Sequence, residues 1–430
     1  MFKKNKTDLT KTTYCPLAWT HSFVNQDGSY QVCCTSEEFD NHIKDDNGNK
    51  LYVQDDVSPQ DVMNSKYMKD IRKQMLNNEW PEVCKRCQMG EEMGGVSRRT
   101  LEIKNYENKN ESFLAKTLED GETSAPIISA DYRLGNLCNL QCRMCNPRST
   151  QLWIREWNDM KHEHEKFSDE VIDSYRNYNW INSDALTNDF ARKAAHLEHI
   201  HFAGGEPLIA PQMEQILKTC IESNNAKNIM ITYNTNMTVL PPKIIELWKN
   251  FKGVKILASI DGIGAVNSYI RHPANWDKIH KNLCLIDEKH EEYNISECMI
   301  SSTVQVLNVL RIKEIFTYLE QFEFIVPAPN MINLHFPFYF QTTILPKNHK
   351  LLATMELKGI QQKYANKLPA HYQYLLDNIE QIIKFMNSKD AWKSDLSREF
   401  FRFQSKFDQA KKIDLFEVLP EFKKIYESHT

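Results

Sequence analysis

The sequence predicts an α/β fold, and two patterns carry that prediction. From Ile127 onward, short apolar runs alternate with segments of helical periodicity, the pattern of β-α units built on a parallel sheet. The residues with chemistry to offer stand where those runs end. That is the edge at which open α/β sheets and barrels hold their ligands. A third observation divides the chain. Five cysteines fall within the first hundred residues, ahead of a polar linker from Asn105 through Ser124.

Taken in order, Val62, Met63, Tyr67, Ile71 and Met75 show helical spacing. Ile127–Arg133 reads as the first strand after the linker, delivering a cysteine-bearing loop. A polar, charged segment over 159–190 is an insertion. His199–Ala203 is the second strand and ends at Gly204-Gly205-Glu206-Pro207; Met213–Ile221 then turns helical. Ile229–Tyr233 ends at Asn234-Thr235-Asn236, and Val254–Ile260 ends at Asp261-Gly262. Met299–Val306 is the fifth strand, followed by a helix over Ile312–Leu319, and Asn330–Phe336 is the sixth. Beyond Leu345 the chain reads as helical, with no recognisable chemistry. The expected domains are 1–110, 120–345 and a C-terminal extension, 346–430. No internal repeat is present.

The 430 residues leave room for two or three domains, and 41% hydrophobic residues support a substantial core. A net charge of −4 combines 53 basic with 57 acidic residues, so composition gives no footprint for nucleic acid. No run approaches the eighteen or so apolar residues of a membrane span, so no membrane partner is expected. The opening Met-Phe-Lys-Lys-Asn-Lys lacks the apolar stretch of a signal peptide. Eleven cysteines then indicate metal or redox chemistry in a reducing cytoplasm, not a disulfide framework.

Cys138, Cys142 and Cys145 are spaced C-x3-C-x2-C. Such a loop can wrap one [4Fe–4S] cube with three thiolates and leave the fourth iron without a protein ligand. Clusters ordinarily take four cysteines, and an open coordination position is where a metal site meets its substrate. With Gly204-Gly205-Glu206-Pro207 downstream, the spacing resembles the radical S-adenosylmethionine superfamily over roughly residues 127–340. The resemblance implies a partial (β/α)6 barrel, a [4Fe–4S] cluster on the three cysteines, and S-adenosylmethionine on the open iron. It also implies reductive cleavage to a 5′-deoxyadenosyl radical that abstracts hydrogen from a substrate. A reductant such as flavodoxin or ferredoxin would supply the electron.

By the same resemblance, the Gly204-Gly205-Glu206-Pro207 turn meets the methionine end of the cofactor. Glu206 would accept a charge-assisted hydrogen bond from its ammonium. Asn234 and Asn236, or Ser259 and Asp261, would bind ribose hydroxyls and other polar ends. Arg271 corresponds to an arginine that pairs with the methionine carboxylate, a task suited to guanidinium. Met144 stands where the family usually places an aromatic before the third cysteine, to meet adenine.

A second cysteine group lies ahead of the barrel. Cys15 and Cys33 flank Asp27-Gly28, a hairpin turn that would bring them together, and Cys84 and Cys87 form a C-x2-C loop. The spacing is similar to the opening of SPASM and twitch domains, which implies an auxiliary [4Fe–4S] cluster on Cys15, Cys33, Cys84 and Cys87. A four-thiolate zinc site is the alternative. Cys34 should point away from Cys33 in an extended strand. The segment containing Met75 is expected to pack over this cluster.

Other signals are discounted. His162 and His164 lie in the charged insertion. His196, His199 and His201 lead into a strand and are not expected to converge on a metal. Cys220, Cys284 and Cys298 read as scattered thiols, and Met63, Met68, Met75, Met89 and Met93 as core filler. The whole suggests an oxidoreductase that modifies a peptide or protein. The alternatives are a radical dehydrogenase or epimerase acting on an alcohol, sugar or nucleoside, and a non-enzymatic zinc-binding interaction protein.

Overall fold

The computed structural model describes residues 8–39, 41–92, 95–161, 166–176 and 178–429. His162, His164 and Met93 lie outside the described residues. The chain is mixed α/β, with eight strands: β1 His21–Val24, β2 Tyr30–Gln31, β3 Ser129–Arg133, β4 His199–Ala203, β5 Met230–Thr235, β6 Gly253–Ser259, β7 Ile295–Val304 and β8 Asn330–Asn333. From β3 to β8, helices intervene between successive strands, as a partial (β/α)6 barrel requires.

Two compact units divide the chain. The first contains residues 1–135, 178–232 and 250–253; the second contains 136–177, 233–249 and 254–430. The N-terminal segment is therefore grouped with β3 and β4, and β5 runs across the division.

In the first unit the strand order is β2-β1-β3-β4. β1 and β2 form the antiparallel hairpin expected around Asp27-Gly28. Gly28 has φ +84°, and a Cβ there would stand 2.8 Å from the Trp180 ring, so glycine is required. β1 pairs in parallel with β3, placing His21 beside Ser129 and Phe23 beside Asp131. β3 pairs in parallel with β4. On one side of this sheet, helix Asp184–Ala194 covers Tyr132 and Phe202 through Phe190. The Lys193 ammonium sits there, buried, 2.6 Å from Asp189 and 2.8 Å from the Tyr132 and Ser22 hydroxyls.

In the second unit β6, β7 and β8 pair in parallel. β8 ends at Asn333, three residues short of the expected Phe336; Pro337 beyond it has no N–H to donate. β7 begins at Ile295, four residues before the expected Met299. The tail is helical over Lys347–Tyr364, Tyr374–Asn387, Asp395–Lys411 and Glu421–His429. Among the described residues no helix is long and apolar enough to cross a membrane.

Candidate functional site

In the first unit, Cys15, Cys33, Cys84 and Cys87 surround one small cavity. Each is placed by a local break in the chain. Cys15 precedes the short helix Leu17–Thr20, Cys33 follows β2, and Cys84 and Cys87 bracket the start of helix Lys85–Glu92 after Pro81. Leu17, Ala18, Val32, Met75 and Val83 complete an apolar wall, with Met75 contributed by helix Lys66–Leu76 as anticipated. Arg86, Arg98 and Arg99 supply cations around it.

Burial pushes the Cys15 thiol up, and neighbouring Cys84 and Cys33 push it further; burial and Cys33 do the same to Cys84. Four thiolates so close would repel one another unless cationic irons neutralised them, and the arginines would favour residual negative charge. The donor set fits a four-cysteine cluster. Among the described residues, no three His, Cys, Asp or Glu side chains close up as a single metal ion requires.

Cys34 is directed elsewhere, for a reason other than strand alternation. β2 has ended at Gln31, and Cys34 opens a 3₁₀ turn, Cys34–Phe39. Its sulfur accepts from Arg98 Nη1 at 3.9 Å.

Also in the first unit, Gly204 and Gly205 close against the strand end that leads to the other cysteine loop. Gly204 has φ +119°, and a Cβ on it would meet the Leu134 nitrogen at 2.9 Å. Gly205 N–H donates to the Gly135 carbonyl at 3.2 Å. Glu206 is buried, and its Oε1 accepts from Leu208 N–H at 3.1 Å, capping a short turn that begins at Pro207.

In the second unit, Cys138, Cys142 and Cys145 lie on one irregular loop. The Cys142 and Cys145 thiols hydrogen-bond each other, which raises the first and lowers the second, and Cys138 lies close enough to act on Cys145. The loop is fastened from several sides. Gln141 and Arg143 donate backbone N–H groups to the His272 and Ile270 carbonyls at 2.6 and 3.0 Å. Trp153 Nε1 donates to the Cys142 carbonyl at 3.0 Å. Three clustered thiols on a loop whose backbone is tied elsewhere fit a cluster that keeps one iron open.

Asp261 and Arg271 face this loop. Arg271 Nε stands 2.8 Å from Asp261 Oδ2, and Asp261 Oδ1 accepts from Thr303 N–H at 2.7 Å. Burial pushes the Asp261 pKa up although Arg271 opposes it. Burial works against the Arg271 charge, yet Asp261 and Cys142 hold its pKa above the ordinary arginine value. In this structure Arg271 is thus paired within the protein. Asn236 is buried and engaged: it donates to Asn139 Oδ1 at 2.9 Å and accepts from Thr238. Asn234 and Ser259 are half-buried near the ends of β5 and β6. Met144 is half-buried, with Gln305 Nε2 3.8 Å from its sulfur.

Sequence reasoning missed Arg143, the residue between Cys142 and Met144. It is fully buried. Its guanidinium donates from Nε to the Tyr269 carbonyl at 2.9 Å, from Nη1 to Gln404 Oε1, and from Nη2 to Asp408 Oδ1 at 2.6 Å. It also lies over the Tyr269 and Phe407 rings, at 3.6 and 4.3 Å from their centroids. The helix Asp395–Lys411, which carries no recognisable motif, therefore grips the cysteine loop. Lys411 adds an ion pair to Glu156, which also accepts from Gln141. An arginine within a cysteine loop was the available signal; its partners 261 and 265 residues away were not.

Two family models match the chain. Residues 132–290 match the radical SAM superfamily, and residues 15–88 match an iron–sulfur cluster-binding domain, SPASM. Residues 132–290 are thus a radical SAM domain. The chain carries its auxiliary-cluster domain ahead of the barrel, and its cofactors are [4Fe–4S] clusters and S-adenosylmethionine. No curated protein matches it.

Similar solved structures include native anSMEcpe with bound AdoMet and Kp18Cys peptide. That chain is 16% identical, with 56% of this chain and 61% of that chain covered and a TM-score of 0.37. Streptococcus suis SuiB is 13% identical, with 76% and 67% covered and a TM-score of 0.36. SuiB bound to precursor peptide SuiA is 13% identical, with 70% and 60% covered and a TM-score of 0.32. The chain spans about three fifths of the length of the anSMEcpe chains it matches.

Proposed function

We propose that this protein catalyses an oxidative radical modification of a peptide or protein. The observation that supports this reading is the presence, in one chain, of a three-cysteine loop and a separate four-cysteine cage. In this reading Cys138, Cys142 and Cys145 hold the cluster that meets S-adenosylmethionine, and Cys15, Cys33, Cys84 and Cys87 hold the auxiliary cluster. When bound, the loop cluster and S-adenosylmethionine supply a hydrogen-abstracting radical, and the auxiliary cluster supplies a one-electron acceptor.

The chain's own residues orient and shield. Arg143 and Trp153 fix the cysteine loop, leaving one iron for the cofactor. With the cofactor bound, the Gly204-Gly205 turn would offer backbone to its methionine end, and Glu206 would take its ammonium. Arg271, held beside the loop by Asp261, stands ready for a carboxylate. The apolar wall of Leu17, Val32, Met75 and Val83 keeps water from the four-thiolate cage.

Anaerobic reconstitution tests the reading. The protein should carry about eight irons per chain, two clusters of four, and form 5′-deoxyadenosine from S-adenosylmethionine under a strong reductant. Replacing Cys138, Cys142 and Cys145 with alanine should abolish that cleavage. Replacing Cys84 and Cys87 should halve the iron and leave cleavage measurable. Zinc in place of iron at both sites, with no cleavage, would sink the proposal.

A further inference from the structure

Strands of a parallel sheet buried on both faces ordinarily carry apolar side chains on both. One face of β1, β3 and β4 departs from this. Alternate residues of a strand share a face, and the pairing register aligns His21, Ser129 and His199 in one row and Phe23, Asp131 and His201 in the next. The opposite face carries Ala130, Tyr132, Ile200 and Phe202. A polar sheet face is costly inside a protein unless each group is satisfied or has work to do.

Most of these groups are satisfied. His21 Nδ1 lies 2.5 Å from Ser129 Oγ, and His199 Nε2 lies 2.9 Å from Thr232 Oγ1. His201 Nδ1 stands 3.1 Å from Asp131 Oδ2. Asp131 itself is 1% exposed, and its Oδ1 is buried with no hydrogen-bond partner among the described residues.

The charges facing Asp131 come from five elements. Arg133 lies on its own strand and His21 on β1. His201 comes from β4, Arg98 from helix Arg98–Asn105, and Cys34 from the turn beside that helix. Burial pushes the Asp131 pKa up, but His201 first, then Arg133 and His21, hold it below the usual carboxylate range. His201 keeps 21% of its side chain exposed. Arg98 both faces Asp131 and lines the four-cysteine cavity, so the polar face adjoins the cage within the same unit.

We infer that Asp131 and His201 form an acid–base pair that receives a proton from the substrate. The inference rests on the oxidative reading above. Such an oxidation removes a hydrogen atom, an electron and a proton, and the electron goes to an iron–sulfur acceptor. For the proton, a substrate O–H, N–H or S–H bond breaks and its electron pair stays on the substrate. A new N–H bond forms at His201 Nε2. The neutral imidazole becomes imidazolium, which Asp131 Oδ2 stabilises through the Nδ1–H and holds in one tautomer. Asp131 stays ionised throughout and acts as the positioning residue.

The test uses the full reconstituted chain with Asp131→Asn and His201→Gln. Histidine NMR on the wild type and on Asp131→Asn should show His201 binding its proton about tenfold more weakly once the carboxylate is gone. An unchanged His201 titration would overturn the pair. His201→Gln should bind the same iron and cleave S-adenosylmethionine within about twofold of wild type. With a pool of Cys- and Ser-containing peptides as the probe, it should give less than a tenth of the product that has lost two hydrogens. Equal product from wild type and His201→Gln would overturn the proton-accepting role. If the wild type cleaves the cofactor but oxidises nothing, the oxidative reading falls and takes that role with it. The titration still reports on the pair separately.

Discussion

Arg143→Ala is the sharpest perturbation of the three-cysteine loop that leaves its cysteines untouched. The substitution removes three hydrogen bonds, from Nε to the Tyr269 carbonyl, from Nη1 to Gln404 and from Nη2 to Asp408, and two cation–π contacts. It also strands a buried carboxylate. Breaking a buried ion pair by removing one partner costs about 3–5 kcal/mol. Asp408 retains the Tyr269 hydroxyl and the Leu415 N–H, at 3.0 and 2.8 Å, which places the expected loss near the lower end, about 3 kcal/mol. Arg143→Lys keeps the charge but not the fork of donors, so about half that loss is expected. Urea unfolding of the metal-free protein measures the first quantity, and iron per chain after reconstitution measures the consequence for the loop. Arg143→Ala should lose the loop cluster's share of iron while the Cys15 cage keeps its own. A variant with the wild-type unfolding midpoint and full iron would refute the view that the C-terminal helix holds the loop.

Gly204→Ala forces a Cβ within 2.9 Å of the Leu134 nitrogen at a φ of +119°, so a loss of about 2 kcal/mol or more is expected in thermal or urea unfolding. Burial lowers the His21 pKa from 6.5 to about 3, so between those values the unfolded chain binds a proton that the folded chain does not. Stability of the metal-free protein should therefore fall as pH drops through that window, and His21→Gln should flatten the slope. Asp131, whose pKa is depressed, adds stability above its ordinary value and loses it at lower pH still, in the same direction. Lys193→Met should cost about 3–5 kcal/mol by stranding Asp189, whereas Lys193→Met with Asp189→Leu should cost less than the single change. Equal losses for the two would argue against a buried charge as the cause.

The six barrel strands were legible because each combines a short apolar run with a chemically distinctive end, as at His199–Ala203 before Gly204. The four-cysteine cage was legible because a two-strand turn at Asp27-Gly28 is a local signal. What stayed hidden was non-local. Nothing near His21 announces that β1 will lie beside β3, and the acids and amides that hold Arg143 sit on a helix whose amphipathic pattern reads as ordinary packing. Cys34 illustrates a subtler gap. Strand alternation pointed it away from Cys33, yet the strand had already ended, and a turn toward Arg98 decides its direction. The sequence gives no reason to expect His196, His199 and His201 to converge on a metal. His199 and His201 in fact share a face with His21 and Asp131, because residues two apart on a strand point the same way.

The parallel pairing of β1 with β3 bears on how the protein is made. His21 and its partner Ser129 are 108 residues apart, so on the ribosome β1 emerges seconds before β3, at rates of about 5–20 residues per second. During that interval β1 has only the two-residue β2 beside it, and its other edge is an open template for any passing strand. Its first lasting neighbour is β3, the strand that leads into the three-cysteine loop. An excised N-terminal segment would keep the cysteines of the cage and lose that neighbour, so it should aggregate when produced alone. The four-cysteine cage thus depends for its folding on a strand that the chain makes more than a hundred residues later.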